Sequence, residues 1–420
     1  MRIRIVVVLL GITMSLGMVM PTYGATPSDP DTSHLTLTEA EAMALDRDPL
    51  IAGIKASARA FREQAIAAQQ LPDPRLVLGI VDLPTDSFSF KEPETQKMIG
   101  LQQSFPPWGS LTRRGAEIVA MAESDEAALK ERRQKILQNV RLAWLDLYYQ
   151  NQASELVIRS QRMFDELVKV TQSRYRSGRG TQQDMVRAEL ELSQMEDRLT
   201  AIRAQQDVGL AELARWLDEP TLSPPIKAKF PEFPALPTRD EVLMRAQRHS
   251  VIAVQDARVA SKREGVAVAR AMYMPEMMID VSYGQRDGNF SDMLTGIVSI
   301  QVPLFTSKRQ DRQLAAAQLQ VKAVQGEANE LRRQLRAQAD AEYARWQRSN
   351  QRLKFHEEKL LPLATQNSES SLTAYRNNVT DLSSHIMARL EELDGKIEAL
   401  ALRVERGKAH ANLLYLISEE

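Results

Sequence analysis

Methionine is the residue whose clustering first suggests chemistry. Met272, Met274, Met277 and Met278 crowd into one short stretch, and thioethers are soft ligands suited to Cu(I). Methionine is also an adaptable packing residue, and this stretch lies where a helical pattern gives way to a strand-like one, which favours packing over a metal site. The histidines, His34, His249, His356, His385 and His410, are scattered and lack any ligand spacing such as HExxH. No GxSxG elbow, GxxxxGK[ST] phosphate loop or GxGxxG dinucleotide turn occurs. Carboxylates are plentiful, but they alternate with Lys and Arg as solvated helix faces do. The expectation is a protein that is not an enzyme, with no catalytic residue, cofactor or metal centre.

Attention then passes from side-chain chemistry to architecture. The chain has 420 residues, with 54 basic against 55 acidic, so net charge gives a nucleic-acid partner no support. Arg2 and Arg4, the apolar stretch Ile5 to Met20, and Thr22-Tyr23-Gly24 before Ala25 predict a secretory signal peptide over residues 1–24. The apolar run is short for a spanning helix, which needs about 20 residues, and it ends at Pro21. There is no cysteine, which rules out disulfides, thiolate sites and a lipid on an N-terminal cysteine. No later segment is apolar enough for a membrane helix. The mature chain is therefore either soluble or crosses a membrane as β-strands, the other structure that satisfies its backbone in lipid.

The sequence reads twice. Residues 25–235 and 236–420 are two copies related by a period of roughly 200, the signature of an internal duplication. Pro74-Arg75-Leu76 answers Pro275-Glu276-Met277, Gln103-Ser104-Phe105-Pro106 answers Gln301-Val302-Pro303-Leu304, and Tyr175-Arg176-Ser177-Gly178 answers Tyr375-Arg376-Asn377-Asn378. A proline-rich bridge, Pro220 to Pro237, joins them.

Each copy predicts a helix (Thr38 to Gln70; Thr238 to Met272), two strands and a long helical hairpin. Ile279, Val281 and Tyr283 alternate with polar neighbours, as do Val298, Ile300 and Val302. Weaker counterparts lie at Arg75 to Leu83 and Gln96 to Phe105. From Ala116 to Ser177 there is no Gly or Pro, about 60 residues that would extend roughly 90 Å as a helix. Met185, Ala188, Leu192, Met195, Leu199 and Ile202, and then Ile386, Leu390, Leu393, Ile397 and Leu400, step by three and four like coiled-coil seams. Four strands are too few to close a barrel, and an open edge in lipid is costly. Three chains would supply twelve, an even number within the range of membrane barrels, though spacing alone does not choose three over two or four.

Across nearly the whole mature chain, this order of elements resembles the TolC family of outer-membrane efflux proteins. Gln301-Val302-Pro303-Leu304-Phe305 and the turn from Tyr175 to Val186 carry the likeness in detail. The resemblance implies a mostly α fold with a shared membrane β-barrel: a homotrimer with a twelve-stranded barrel in the outer membrane and a periplasmic α-barrel. It further implies a periplasmic adaptor protein and an inner-membrane pump of RND type as partners, with outer-membrane lipid around the barrel and no nucleic acid. Leu71-Pro72-Asp73-Pro74-Arg75-Leu76, Asp82-Leu83-Pro84 and Pro106-Pro107-Trp108-Gly109-Ser110-Leu111 look most like the heavy-metal, CzcC/CusC-like branch.

By the same resemblance, two hairpin tips would face the adaptor: Arg176, Gly178, Gly180 and Thr181 in the first copy, Arg376, Asn378, Thr380 and Asp381 in the second. Asp184, and Ser384 followed by His385 at the equivalent place in the second copy, would stand near a periplasmic aperture, where a carboxylate ring favours cations. Asp184 is also placed to cap its helix, the commoner role of Asp there. Two other functions remain open: a TolC-type channel for drugs or type I secretion, and a periplasmic coiled-coil structural or adaptor protein without a barrel.

Overall fold

The computed structural model describes residues 35–219, 229–377 and 379–417; the expected signal peptide, the start of the proline-rich bridge and Asn378 lie outside the described residues. Each copy opens on a broken helix where one continuous helix is expected. In the first, α1 (Leu37–Arg47) and α2 (Pro49–Ala68) meet at Asp48. Pro49 has no N–H for the helical ladder and disfavours helical backbone at the residue before it. Asp48 instead caps α2, accepting from the Ile51 N–H at 3.0 Å. In the second copy α5 (Arg239–Ala246) and α6 (Ser250–Ala271) break at His249, whose Nδ1 accepts from the Val251 N–H at 3.2 Å.

Strands follow. β1 (Arg75–Val81) and β2 (Gln96–Phe105) come from the first copy, β3 (Glu276–Arg286) and β4 (Met293–Gln301) from the second. They form one antiparallel sheet in the order β1-β2-β3-β4, so the copies join at β2–β3. β1 stops at Val81, short of the expected Leu83, because Asp82 turns the chain with φ 55°.

The first hairpin pairs α3 (Ser110–Arg176) with α4 (Gln182–Leu217). At 67 residues α3 spans roughly 100 Å. It starts earlier than Ala116 and takes in Gly115, where a Cβ would stand 2.3 Å from the Gln69 side chain. The second hairpin pairs α7 (Gln310–Phe355) and α8 (Leu361–Arg376) with α9 (Leu382–Leu416). Between α7 and α8, His356–Leu360 forms a π turn, in which the Leu361 N–H reaches His356 O. Pro362 follows in α8, and a missing N–H with a ring clash one turn back is a recognised setting for such widening.

The π turn keeps a stripe in phase. In α3, Ile136, Val140, Ala143, Leu147 and Ser154 are buried, and the stripe runs on through Phe164, Val168 and Thr171. In α7 the counterparts Leu335, Ala339, Glu342, Trp346 and Leu353 lie 199 positions on, whereas in α8 the buried Ser368 lies 200 on from Val168. The second copy carries one extra residue, and a π turn is the helical form of a one-residue insertion.

The core is strung along the hairpins. Midway along α3, Ile136, Trp144, Leu145 and Leu147 pack on Ala40 and Ala44 of α1, Leu213 and Leu217 of α4, and Leu400 and Val404 of α9. Val242, Ile252, Leu335, Ala339, Leu413 and Leu414 form the second copy's equivalent. Residues 229–237 lie across both: Trp144 Nε1 donates to Lys229 O at 3.2 Å, and His410 Nε2 sits 2.8 Å from Pro234 O.

Candidate channel wall and helical tips

Strand alternation sorts the sheet into two faces. The register places Leu78, Ile99, Tyr283 and Leu294 in one cross-strand row and Leu76, Leu101 and Val281 in the next. Ile279 with Val298, and Phe105 with Met277 and Ile300, continue the same face. Nearly all of these apolar side chains are exposed. Lys97 and Gln285 stand on this face at the loop end, and from them to Phe105 and Met277 the apolar rows, interrupted on β2 by Gln103, run about 27 Å at 3.4 Å per residue. The opposite face carries Arg75, Gln102 and Asp280 in one row, Ser282 and Thr295 in another, and Ser104 with Ser299, interspersed with Val77, Met98, Met293 and Ile297.

β1 and β4 each pair on one side only. At the loop end the hairpins are tied together. Arg286 Nε donates to Ser291 O at 2.7 Å and its Nη1 to Pro93 O at 3.2 Å, and Lys97 pairs with Asp287 at 3.3 Å. At the helix end Trp108, Leu304 and Phe305 stand 90, 75 and 81 % exposed. An open cavity of about 610 Å³ there is lined by Leu71, Phe105, Pro107, Trp108, Met274 and Met277. The methionine group disperses over this junction: Met277 lies on the apolar face, and Met278 faces the other way beside Ser104 and Ser299. Among the described residues, no three His, Asp or Glu groups gather as a metal site.

The helical tips are built from the same turn with different caps. Gly178 adopts φ 69°, and the Arg179 N–H returns to Arg174 O at 2.8 Å. A Cβ on Gly180 would lie 3.1 Å from Arg174 Cβ, so the chain passes close there. Thr181 Oγ1 accepts from the Asp184 N–H at 3.1 Å, and Asp184 Oδ2 accepts from the Thr181 N–H at 3.4 Å, a reciprocal capping box. In the second tip the Val379 N–H returns to Ala374 O at 2.8 Å. Here Asp381 itself caps α9, accepting from the Ser384 N–H at 2.8 Å. Those hydrogen bonds from Ser384 hold the Asp381 carboxyl below its ordinary range. Arg176, Arg376 and Thr380 complete the two turns, with both arginines exposed.

Asp184 and Ser384 thus occupy matching places in the first turns of α4 and α9. His385 does not share their exposure: it is 4 % exposed, with Nδ1 3.0 Å from Ser371 Oγ and its ring stacked on Tyr375. Burial, then the charges of Arg389 and Arg376, push its pKa down. Sequence spacing places His385 next to Ser384, but its direction depends on the α8–α9 seam. Contacts that spacing alone did not reveal link the two tips. The Arg174 guanidinium lies 5.2 Å from the Tyr375 ring centre, and Arg198 pairs with Asp394 at 2.9 Å. Beneath them Val157, Phe164, Met195, Leu199, Leu382, Ile386 and Leu393 share one core.

Residues 42–218, most of the first copy, match the family model described as outer membrane efflux protein. No curated relative matches the chain. Solved structures do. The chain is similar to the outer-membrane channel OprN at 15 % identity and a TM-score of 0.78, covering 91 % of this chain and 90 % of that one. It is similar to CusC, from a study of folding and transmembrane channel formation, at 13 % and 0.76, covering 91 % and 92 %. It is similar to the outer membrane protein VceC of Vibrio cholerae at 17 % and 0.76, covering 91 % and 96 %. The fold is the duplicated TolC-like one, mostly helical with four strands per chain.

Proposed function

We propose that this chain is one subunit of an outer-membrane channel, a passive exit duct of an efflux system. The observation that carries the reading is the sheet, with an apolar band on one face, a largely polar opposite face and two open edges. Unpaired backbone in lipid costs several kcal/mol per group, so the edges must be closed by further copies. Three copies of a four-stranded sheet give a twelve-stranded barrel, with the long hairpins continuing it as a helical tube in the periplasm.

On this reading the exposed Trp108, Leu304 and Phe305 sit at the lipid–water boundary, where large amphipathic and apolar side chains gather. The tips Arg176–Thr181 and Arg376–Asp381 meet a periplasmic adaptor, behind which stands an inner-membrane pump of RND type. Asp184 and Ser384 border the aperture, and His385 supports it from behind through Tyr375. A duct needs no reaction centre, and the driving energy comes from the pump. Heavy-metal cations are the proposed cargo, on the strength of the segments Leu71 to Leu76, Asp82 to Pro84 and Pro106 to Leu111. Similarity to CusC supports the fold equally with that to OprN and VceC.

Light scattering on detergent-extracted, outer-membrane protein tests the assembly, with three chains per particle expected. A water-soluble monomer would overturn the channel in favour of a periplasmic coiled-coil protein. Deleting the gene and challenging cells with copper, zinc, cobalt, dyes and antibiotics tests the cargo. Unchanged metal tolerance with a new drug sensitivity would replace metals by drugs.

A further inference from the structure

The cavity where the sheet meets the helices opens on the apolar face. Phe105, Met277 and Ile279 belong to that face and line the cavity, together with Leu71, Leu111 and Met274. At about 610 Å³ it has the size of a small-molecule site, and the exposed Trp108 stands beside it. Both copies of the duplication contribute walls, and the strands that frame it, β2 and β3, are the two inner strands of the sheet.

The hollow surface continues onto the helices. Gln69 and Thr112 line the apolar cavity and also line a second hollow, of about 480 Å³, between α3 and α6. The second hollow is charged, with Arg263, Glu264 and Glu123 around it. Glu264 is taken by Arg113 at 3.2 Å. Arg263 and Glu123, both exposed, have no ion pair or hydrogen-bond partner among the described residues.

Helix direction sets those two charges facing each other. Arg113 meets Glu264, and Ser124 Oγ donates to Val254 O at 3.3 Å, so α3 and α6 run antiparallel. Side chains lean toward the N-terminus of their own helix. Glu123 on α3 therefore leans toward the sheet and Arg263 on α6 leans away from it, with the hollow between them. A cation and an anion held apart across a gap are complementary to a zwitterion.

We propose that a phospholipid with an ammonium headgroup seats in this two-part groove. One acyl chain fills the apolar cavity, the phosphate accepts hydrogen bonds from the Arg263 guanidinium, and the ammonium faces Glu123. Gln69 and Thr112, where the two parts join, offer an amide and a hydroxyl to the ester oxygens. The depth is right for a headgroup. Arg263 adjoins Glu264, whose partner Arg113 stands about 5 Å along α3 from its start, and the headgroup layer is roughly 5–7 Å thick on each side of the hydrocarbon. The site rests on the channel reading, which sets the apolar face against the bilayer and the helices in the periplasm. It does not depend on cargo, adaptor or pump.

The detergent-extracted full chain, given phosphatidylethanolamine or phosphatidylglycerol of equal chain length, tests the site by native mass spectrometry. One phosphatidylethanolamine retained per chain is expected, in preference to phosphatidylglycerol. Arg263→Gln should weaken retention roughly tenfold, the loss of one charge-assisted hydrogen bond. Glu123→Gln should erase the headgroup preference, and Leu71→Trp, which fills the cavity, should abolish retention. Leu294→Ala, on the same face at the loop end of the sheet, should change nothing. Equal retention of both lipids by wild type and every variant would mean boundary lipid only and would overturn the site, as would oligomeric particles that retain none. Either result leaves the channel reading standing, whereas a water-soluble wild-type monomer would overturn both.

Discussion

The two copies of the duplication solve the same problems with different residues. At the broken helix the first copy uses Asp48, a carboxylate tied to Arg132 at 2.6 Å, and the second uses His249, a neutral imidazole against Tyr415. At the tip the acid moves from the third helical position, Asp184, to the cap itself, Asp381. Along the long helix the first copy is unbroken, while the second absorbs an extra residue in the π turn. The shared element is the phase of the buried stripe, and the capping chemistry is interchangeable around it.

The sharpest way to break that comparison is to change helix length by one residue. Deleting Gln161 from α3 rotates everything beyond it by about 100°, taking Phe164 out of the shared tip core and Val168 out of the buried stripe. Misplacing one buried Phe alone costs about 3–5 kcal/mol, so this variant should lose its cooperative thermal transition or fail to accumulate. Deleting Lys359 from the π turn should instead convert it to α-helix with the stripe intact, leaving the melting temperature within a few degrees of wild type. Equal damage from both deletions would refute the phase argument.

Acid should separate the copies next. Burial first, with the Lys135 charge adding to it, pushes the His249 pKa down to about 4. The unfolded imidazole binds its proton near pH 6.5, so stability is present above that pH and falls as pH drops toward 4, by up to ~3 kcal/mol. For Asp48, burial pushes the pKa up, but the hydrogen bonds from Arg132 and Ile51 outweigh it and hold the carboxyl below its ordinary range. Its contribution therefore survives until pH falls below that range. His249→Asn keeps a capping side chain without the titration, and thermal melts from pH 7 to 4 should show a flatter acid limb. An unchanged limb would mean that His249 is not the group responsible.

The smallest effect belongs to the caps. Thr181→Ala should cost about 1 kcal/mol, measured by denaturant melts, and Asp381→Ala should lower the melting midpoint in the same direction. The Asp381 loss should shrink on acidification through its depressed pKa, whereas the Thr181 loss should not follow a titration at that position.

Much of this architecture was legible from local pattern. Alternation from Ile279 to Tyr283 marked β3, and the three-and-four steps from Met185 and from Ile386 marked the seams of α4 and α9. The helix break at Asp48-Pro49 was written in the sequence too, but helical periodicity on both sides hid it. Its counterpart at His249 carries no proline and depends on tertiary packing against Tyr415. The π turn shows in sequence only as a stripe running one position late after Leu353, with Pro362 nearby. The orientation of His385 was beyond local reading, because the neighbour that stacks on it, Tyr375, belongs to another helix.

The uninterrupted run of α3 has a mechanical consequence. A helix of roughly 100 Å is a lever: leaning by about 1° at its sheet-proximal end carries the far end sideways by roughly 1.7 Å. Gln69 lies tight against it at Gly115, close to the pivot, while Arg174 touches Tyr375 at the far end. A disturbance too small to notice where the helix leaves the sheet is therefore delivered to the tips at the scale of a hydrogen bond.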